Sequence, residues 1–427
     1  MHKSQFLTKT KHVIAHKAIW VGLLFVIVLG LSTYTDINSN AAVFNQSYMP
    51  LVERMAPRYY VLLGWNDLGM HCYNHEFQDL AVLPPYNTLW AQVIKRGNPP
   101  QIVTQGIRVQ YAFPDNTTSS DKTNFWTYAP QLFDVQLPDN VGLKGKGMAD
   151  VMDVKGDYFV AEGIPLTEFS DSSPTTPYPY QLAVLTAKDI DTGSVLATLT
   201  VVAPVSTEMH CETCHASGQE PGGDQPRVEL NILALHDDEE GTNLINSRPV
   251  LCARCHSSNA LGMPGVSEVP SLSNAMHDQH NGVVPDSLDG CYSCHPGPTT
   301  KCLRDAMSLN VPSPIDPGRN MDCIDCHGGM EQVKQNPDPW LNEPRCDECH
   351  IPTDTHEYNQ DQPLYRFSKG HGGVYCEACH DSTHAIATSR EPNDAIKFIE
   401  LQGQTGTLSV CTTCHLTQPT GPGPHVK

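Results

Sequence analysis

Seven copies of one pentapeptide, Cys-x-x-Cys-His, lie between Cys211 and His415. They read CETCH at Cys211–His215, CARCH at Cys252–His256, CYSCH at Cys291–His295 and CIDCH at Cys323–His327. CDECH follows at Cys346–His350, CEACH at Cys376–His380 and CTTCH at Cys411–His415. The spacing suits c-type haem attachment. Two intervening residues let one turn present both sulfurs to one porphyrin edge, where they form thioethers, and the next residue lies under the iron as an axial ligand. A random chain of this composition holds roughly 0.03 such motifs. Zinc sites combine Cys-x-x-Cys pairs into sets of four ligands, which an odd number of pairs each followed by His does not suit. A redox dithiol needs one such pair on a βαβ unit, not seven in series. The reading is therefore seven covalent haems. The thioether donors are Cys211 and Cys214, Cys252 and Cys255, Cys291 and Cys294, Cys323 and Cys326, Cys346 and Cys349, Cys376 and Cys379, and Cys411 and Cys414. The proximal ligands are His215, His256, His295, His327, His350, His380 and His415.

Covalent haem implies export, and the N-terminus agrees. Residues 1–17 carry Lys3, Lys9, Lys11 and Lys17 and no acid, and Ala18–Leu31 is an unbroken apolar run. Small residues follow at Asn40-Ala41-Ala42. This is the layout of a secretory signal. The run is shorter than the about 20 residues of a spanning helix, so residues 1–42 read as a cleaved signal, with a retained N-terminal anchor as the alternative. The expected location is the periplasm or the cell exterior, with membrane contact only through this segment if it is kept. The formal charge of −20 and the absence of a basic patch exclude nucleic acid as a partner class. Two cysteines stand outside the motifs, Cys72 and Cys302. They form a mutual disulfide or remain buried thiols; the sequence leaves both open.

Residues 43–206 hold no motif and read as an all-β, sandwich-like domain. Tyr59–Trp65, Thr88–Ile94 and Ile102–Tyr111 read as strands, and Gln181–Ala187 with Ser194–Val202 as a hairpin. Gly142–Gly147 reads as a loop, since no strand-to-helix context supports a phosphate cradle. Residues 207–427 read as a loop-rich, short-helix multihaem cytochrome c domain. So few residues per haem cannot enclose each one separately, so the haems themselves must form the packed core. Helical turns are expected at Leu230–His236, Ser271–His280 and Lys301–Met307.

Each iron needs a second axial ligand or an open position. Outside the motifs and the signal the chain has ten histidines, a supply that points to bis-His ligation at most irons. The distal candidates are His71, His236, His277, His280, His356, His371 and His384. His277 and His280 lie three apart and suit two neighbouring haems. His71 sits in NDLGMHCYNHE beside Gly69, a residue that permits close backbone approach, and His75 is the runner-up there. The bland reading of that segment is a turn with a part-buried histidine; a copper or zinc site is a third reading. His210 abuts Cys211, and His425 falls in a Gly/Pro tail expected to be disordered.

The chain resembles the exported multihaem c-type cytochromes of metal-reducing bacteria. The likeness rests on NDLGMHC at Asn66–Cys72, PVSTEMHCETCH at Pro204–His215, CYSCHPGPTTKCLRDAM at Cys291–Met307 and GHGGVYCEACHDSTHA at Gly370–Ala385. It implies closely spaced, mostly bis-His haems used for long-range electron transfer, possible self-assembly through shared haem ligands, and redox proteins or an extracellular acceptor as partners. The Cys-x-x-Cys-Lys variant of some reductase relatives is absent. An electron carrier is thus expected rather than an enzyme; the alternative is a multihaem oxidoreductase with one open-site haem reducing a small substrate. The intact mass of the exported protein is expected to exceed that of its polypeptide by seven haem masses; a shortfall would remove haem from whichever motif peptide is found bare.

Overall fold

The computed structural model describes residues 59–215, 227–306, 311–335, 343–386 and 389–426. The expected signal at 1–42 lies outside them. All the described residues belong to one compact unit, Arg58–Lys427. The boundary expected after residue 206 coincides with the end of the last long strand, but the regions on either side of it are not separate units.

The region before it is strand-rich. One sheet has the order β1 (Tyr60–Asn66), β4 (Asn87–Lys95), β9 (Tyr158–Ile164), β8 (Asp153–Lys155), with β5 (Gln101–Ile102) on the end of β4. The other has the order β2 (His71–Cys72), β11 (Val195–Ser206), β10 (Tyr180–Asp189), β6 (Ile107–Ala112), β7 (Ala149–Val151). The sheets face one another. A Cβ built on Gly64 of β1 would meet side chains of Leu185 and Val201 from the opposite sheet, so glycine lets them approach. Between them lie Leu62, Leu89, Ala91, Val93, Leu185, Leu199 and Val201, with Phe77 edge-on to Phe125 at 5.2 Å.

β4 is buried from Asn87 to Ile94 on both faces. Leu89, Ala91 and Val93 face the inter-sheet core; Trp90 and Ile94 face outward, with Leu63, Trp65 and Val160. Tyr375 and Ala378, from the sixth motif segment, cover that outer face. Trp90 stacks on Tyr158 at 4.4 Å and meets Tyr375 edge-on at 5.3 Å. A strand buried on both sides reads as a continuous apolar run rather than an alternation.

Two sequence expectations are corrected. Ile102–Tyr111 is not one strand: β5 ends at Ile102, a turn through Gly106 at φ +71° follows, and β6 starts at Ile107. Lys301–Ala306 is a run of turns with left-handed backbone at Lys301, Arg304 and Asp305, and Met307 lies outside the described residues. The first arm of the hairpin is longer than expected at both ends, and the second starts one residue later and runs on to Ser206. Helix α1 (Phe125–Phe133), which has Pro130 inside it, was not expected.

Beyond residue 206 the fold is helix-poor. Its longer helices are α2 (Val228–Glu240), α3 (Leu272–His280, capped by Ser271 Oγ accepting from Asn274 N at 3.1 Å) and α4 (Pro392–Gln402). Pro392 opens α4 and Gly403 closes it in the left-handed conformation, and the helix packs on β11. Of the buried apolar side chains among the described residues, 38 lie at or before Val205 and 10 beyond it. The second region therefore builds little core from its own side chains.

Phe77→Ala is expected to cost about 3–5 kcal/mol of stability, and Val195→Ala, at an exposed position on β11, within about 0.5 kcal/mol. Denaturant unfolding of the two variants checks this.

Candidate functional site

Each motif begins on a single helical turn. The backbone N–H of the motif histidine donates to the carbonyl of the first cysteine at His215, His256, His295, His350 and His415, over 2.8–3.0 Å. CIDCH and CEACH lie within short helices, Cys323–His327 and Cys376–His380. That turn brings the two sulfurs of a motif to one side, as attachment to one porphyrin edge requires.

Six motif histidines face a second imidazole. His215 faces His280 with ring centroids 6.0 Å apart, His256 faces His236 at 6.2 Å, and His295 faces His277 at 6.1 Å. His327 faces His384 at 6.3 Å, His380 faces His425 at 5.8 Å, and His415 faces His371 at 6.0 Å. Two metal–nitrogen bonds of about 2.0 Å, with a ring on either side, place centroids about 6 Å apart. The spacing is that of two axial ligands sharing one metal.

Hydrogen bonds decide which nitrogen is presented. Nδ1 of His215 donates to Asn231 Oδ1 at 3.2 Å, and Nδ1 of His256 to the Pro270 carbonyl at 2.9 Å. On α3, Nδ1 of His277 donates to the Ser273 carbonyl and Nδ1 of His280 to the Met276 carbonyl, both at 2.7 Å. His236 Nδ1 donates to Thr242 Oγ1 at 2.9 Å, since that hydroxyl is itself turned to Asp237. His384 Nδ1 donates to the Leu68 carbonyl at 3.3 Å. In all six, Nε2 is left for a metal, the arrangement in which an outer partner fixes the tautomer and aim of a ligating imidazole. Burial supports it. Loss of solvent, then the neighbouring His277 and His327, push His295 down to about 4. Burial, then His327 and Arg304, do the same to His384. A neutral imidazole is the form that ligates.

Arg304 offers a further fit. It is buried, with Nε 3.3 Å from Asp394 Oδ2 and its guanidinium 5.2 Å from the centre of the Tyr180 ring. Its Nη1 and Nη2 find no protein acceptor. A buried guanidinium with free donors suits a carboxylate, and haem carries two propionates. The motif turns, the imidazole pairs and this cation together fit c-type haem.

The sulfurs of different motifs are near enough to influence one another. Burial raises Cys211, and Cys294 of the third motif adds to it. Cys291 of the third motif, and then burial, raise Cys323 of the fourth. Burial and then Cys349 raise Cys326 to about 11; burial and then Cys346 raise Cys376 to about 12; burial and then Cys379 raise Cys414 to about 11. The motifs thus neighbour each other in the order first, third, fourth, fifth, sixth, seventh. The second joins through α2, which carries His236 and, one turn earlier, the Asn231 that holds His215.

The strand-rich region holds several of these elements. β12 (Val250–Leu251), directly before Cys252, pairs with β3 (Leu80–Ala81). Arg96 Nη2 donates to the Thr412 and His415 carbonyls at 2.7 and 3.3 Å, and Tyr375 N donates to Gln92 Oε1 at 3.1 Å. Gly69, at φ +75°, lies so close to the loop before His384 that a Cβ there would sit 1.8 Å from the Thr383 carbonyl oxygen.

Of the expected distal residues, the structure brings His236, His277, His280, His371 and His384 opposite motif histidines. It does not bring His71 or His356 there. His71 is paired with no motif histidine among the described residues; its Nε2 is bonded to Asp67 at 2.9 Å. His356 bridges backbone with Val426, its Nδ1 on Thr355 Oγ1 at 2.9 Å. His75 is exposed. His210 spends both nitrogens on Glu208 and Glu212 at 3.1 Å. His425, expected to be disordered, is instead placed opposite His380; its Gly/Pro surroundings hid it, although the neighbouring Glu357 N bonds its carbonyl at 3.0 Å. Cys72 and Cys302 pack on one cluster with Met70, Tyr180 and Val202, both as free thiols, and burial pushes Cys302 up to about 11. The carboxylates of Glu76, Asp79 and Glu229 lie within 4.8 Å of one another, but Asp79 is engaged by Arg227 and Arg248. Among the described residues no helix is long and apolar enough to cross a membrane.

No family model, no curated protein and no solved structure matches this chain.

Gly69→Ala and Gly106→Ala place the same side chain at the same kind of left-handed backbone, but only Gly69 has a neighbour within 4 Å. Gly106→Ala is expected to cost about 1–2 kcal/mol. Gly69→Ala is expected to cost more than that in denaturant unfolding; equal losses would count against the close approach.

Proposed function

We propose that this chain is an exported electron-transfer protein that passes electrons along seven covalently held c-type haems, in the periplasm or at the cell exterior. The reading implies redox proteins or an extracellular acceptor as partners. The observation that carries it is the motif order: each set of ligands adjoins the next, so the cofactors they hold form a row and not seven isolated centres. When bound, each haem supplies a one-electron iron couple whose potential the protein sets through ligands, hydrogen bonds and burial. The residues do the rest. Asn231, Pro270, Ser273, Met276, Thr242 and Leu68 aim imidazoles through Nδ1. Met ligation would raise potentials, and histidine faces histidine in six pairs, which favours low ones. Arg304 is available to a propionate.

The oxidoreductase reading keeps one supporting observation: among the described residues His350 has a tyrosine ring beside it and no imidazole opposite. The carrier reading is tested on the ligands. His384→Ala is expected to convert one low-spin haem to high spin and leave the others as they were, whereas His71→Ala is expected to leave every spin state unchanged. EPR with near-infrared magnetic circular dichroism counts the species. A set of His/Met signatures, or an unchanged spectrum in His384→Ala, would count against the reading.

A further inference from the structure

His350 is the one motif histidine with no imidazole across from it among the described residues. The ring beside it is Tyr358, with centroids 5.1 Å apart. That distance excludes Tyr358 as an in-line axial ligand. A phenolate binds through an oxygen outside its ring, so its centroid would lie farther from His350 than a distal imidazole does, beyond the 5.8–6.3 Å of the six pairs. Tyr358 is closer. It packs beside His350 and also stacks on His425 at 5.9 Å, the imidazole opposite His380.

The four other histidines outside the pairs do not face His350: His71 bonds Asp67 through Nε2, His210 bonds two glutamates, His75 is exposed, and His356 bonds Thr355 Oγ1 through Nδ1. The chain from 347 to 356, His350 included, is exposed throughout. The sixth motif site is near, since His350 contributes to lowering His380 after burial and His425.

On the seven-haem reading, we propose that the iron carried by His350 keeps an exchangeable sixth position, open to small σ-donor molecules of two or three atoms. The site lies within the row of motifs, between the fourth and the sixth, so a ligand bound there sits beside the electron path. Tyr358, packed beside His350, lies on the same side as that imidazole and leaves the opposite position unobstructed.

The test uses the full exported holoprotein and cyanide as probe. Intact mass is measured first. Fewer than seven haems would overturn the haem reading for the bare motif, separately from this inference. With seven haems present, one is expected to be high spin and to turn low spin with one equivalent of cyanide. The triple variant Cys346→Ala, Cys349→Ala, His350→Ala is expected to hold six haems, all low spin and silent to cyanide. Should it fail to fold, a single variant decides: His356→Ala is expected to leave the spin count and the response to cyanide unchanged. Seven low-spin haems that ignore cyanide would overturn the proposal. So would a new high-spin signal in His356→Ala, or a high-spin signal that appears only on dilution and so assigns the sixth ligand to a second copy of the chain.

Discussion

The hydrogen bond at Nδ1 is the constraint on which the second region turns. A neutral imidazole ligates through one nitrogen, and a hydrogen bond at the other fixes the tautomer and the aim of the ring. The chain supplies that bond with ordinary groups. A side-chain amide holds His215, backbone carbonyls hold His256, His277, His280 and His384, and a threonine hydroxyl holds His236. The contrast lies within the same protein. His71 gives Nε2 to Asp67, and His210 gives both nitrogens to glutamates. Neither faces a motif histidine.

Such bonds need a rigid frame, and the second region has few apolar side chains with which to build one. The strand-rich region supplies it. Its first sheet is apolar on the outside as well as the inside, and Tyr375 and Ala378 complete the outer layer. The Leu68 carbonyl reaches His384 because Gly69 has no side chain to hold the two loops apart. Lys397 of α4 is buried against Asp381 at 2.8 Å and reaches the Gly64 carbonyl at 3.4 Å. A buried pair of this kind is costly to break from one side, so it fixes where the helix and the loop before His384 sit on β1.

The repeated pentapeptide, the strand-rich first region and the helix-poor second were legible because each rests on local pattern. His277 and His280 were legible for the same reason, three apart on a capped helix. His71 misled because the cue beside it, Gly69, belongs to a close approach, and the residue approached is Thr383, more than three hundred positions away. His425 was hidden by the flexible composition around it and is placed by Glu357 and Tyr358, which no local rule connects to it. Helices α1 and α4 were both missed, α1 with Pro130 inside it and α4 despite proline at its start and glycine after its end. The turn through Gly106 split a run whose composition is strand-like throughout. Propensity describes what a segment tolerates; the partners that decide its use are distant.

Helix α3 carries two of the imidazoles, His277 opposite His295 and His280 opposite His215, on consecutive positions of one face. Its carbonyls at Ser273 and Met276 aim both rings, so the helix is a shared axle for the first and third sites. A tilt or slide of this one element would change both at once and in fixed proportion. The two centres therefore form a single heritable unit: a lineage that loses or shifts the helix alters both together, and neither site can drift in geometry while the other stands still.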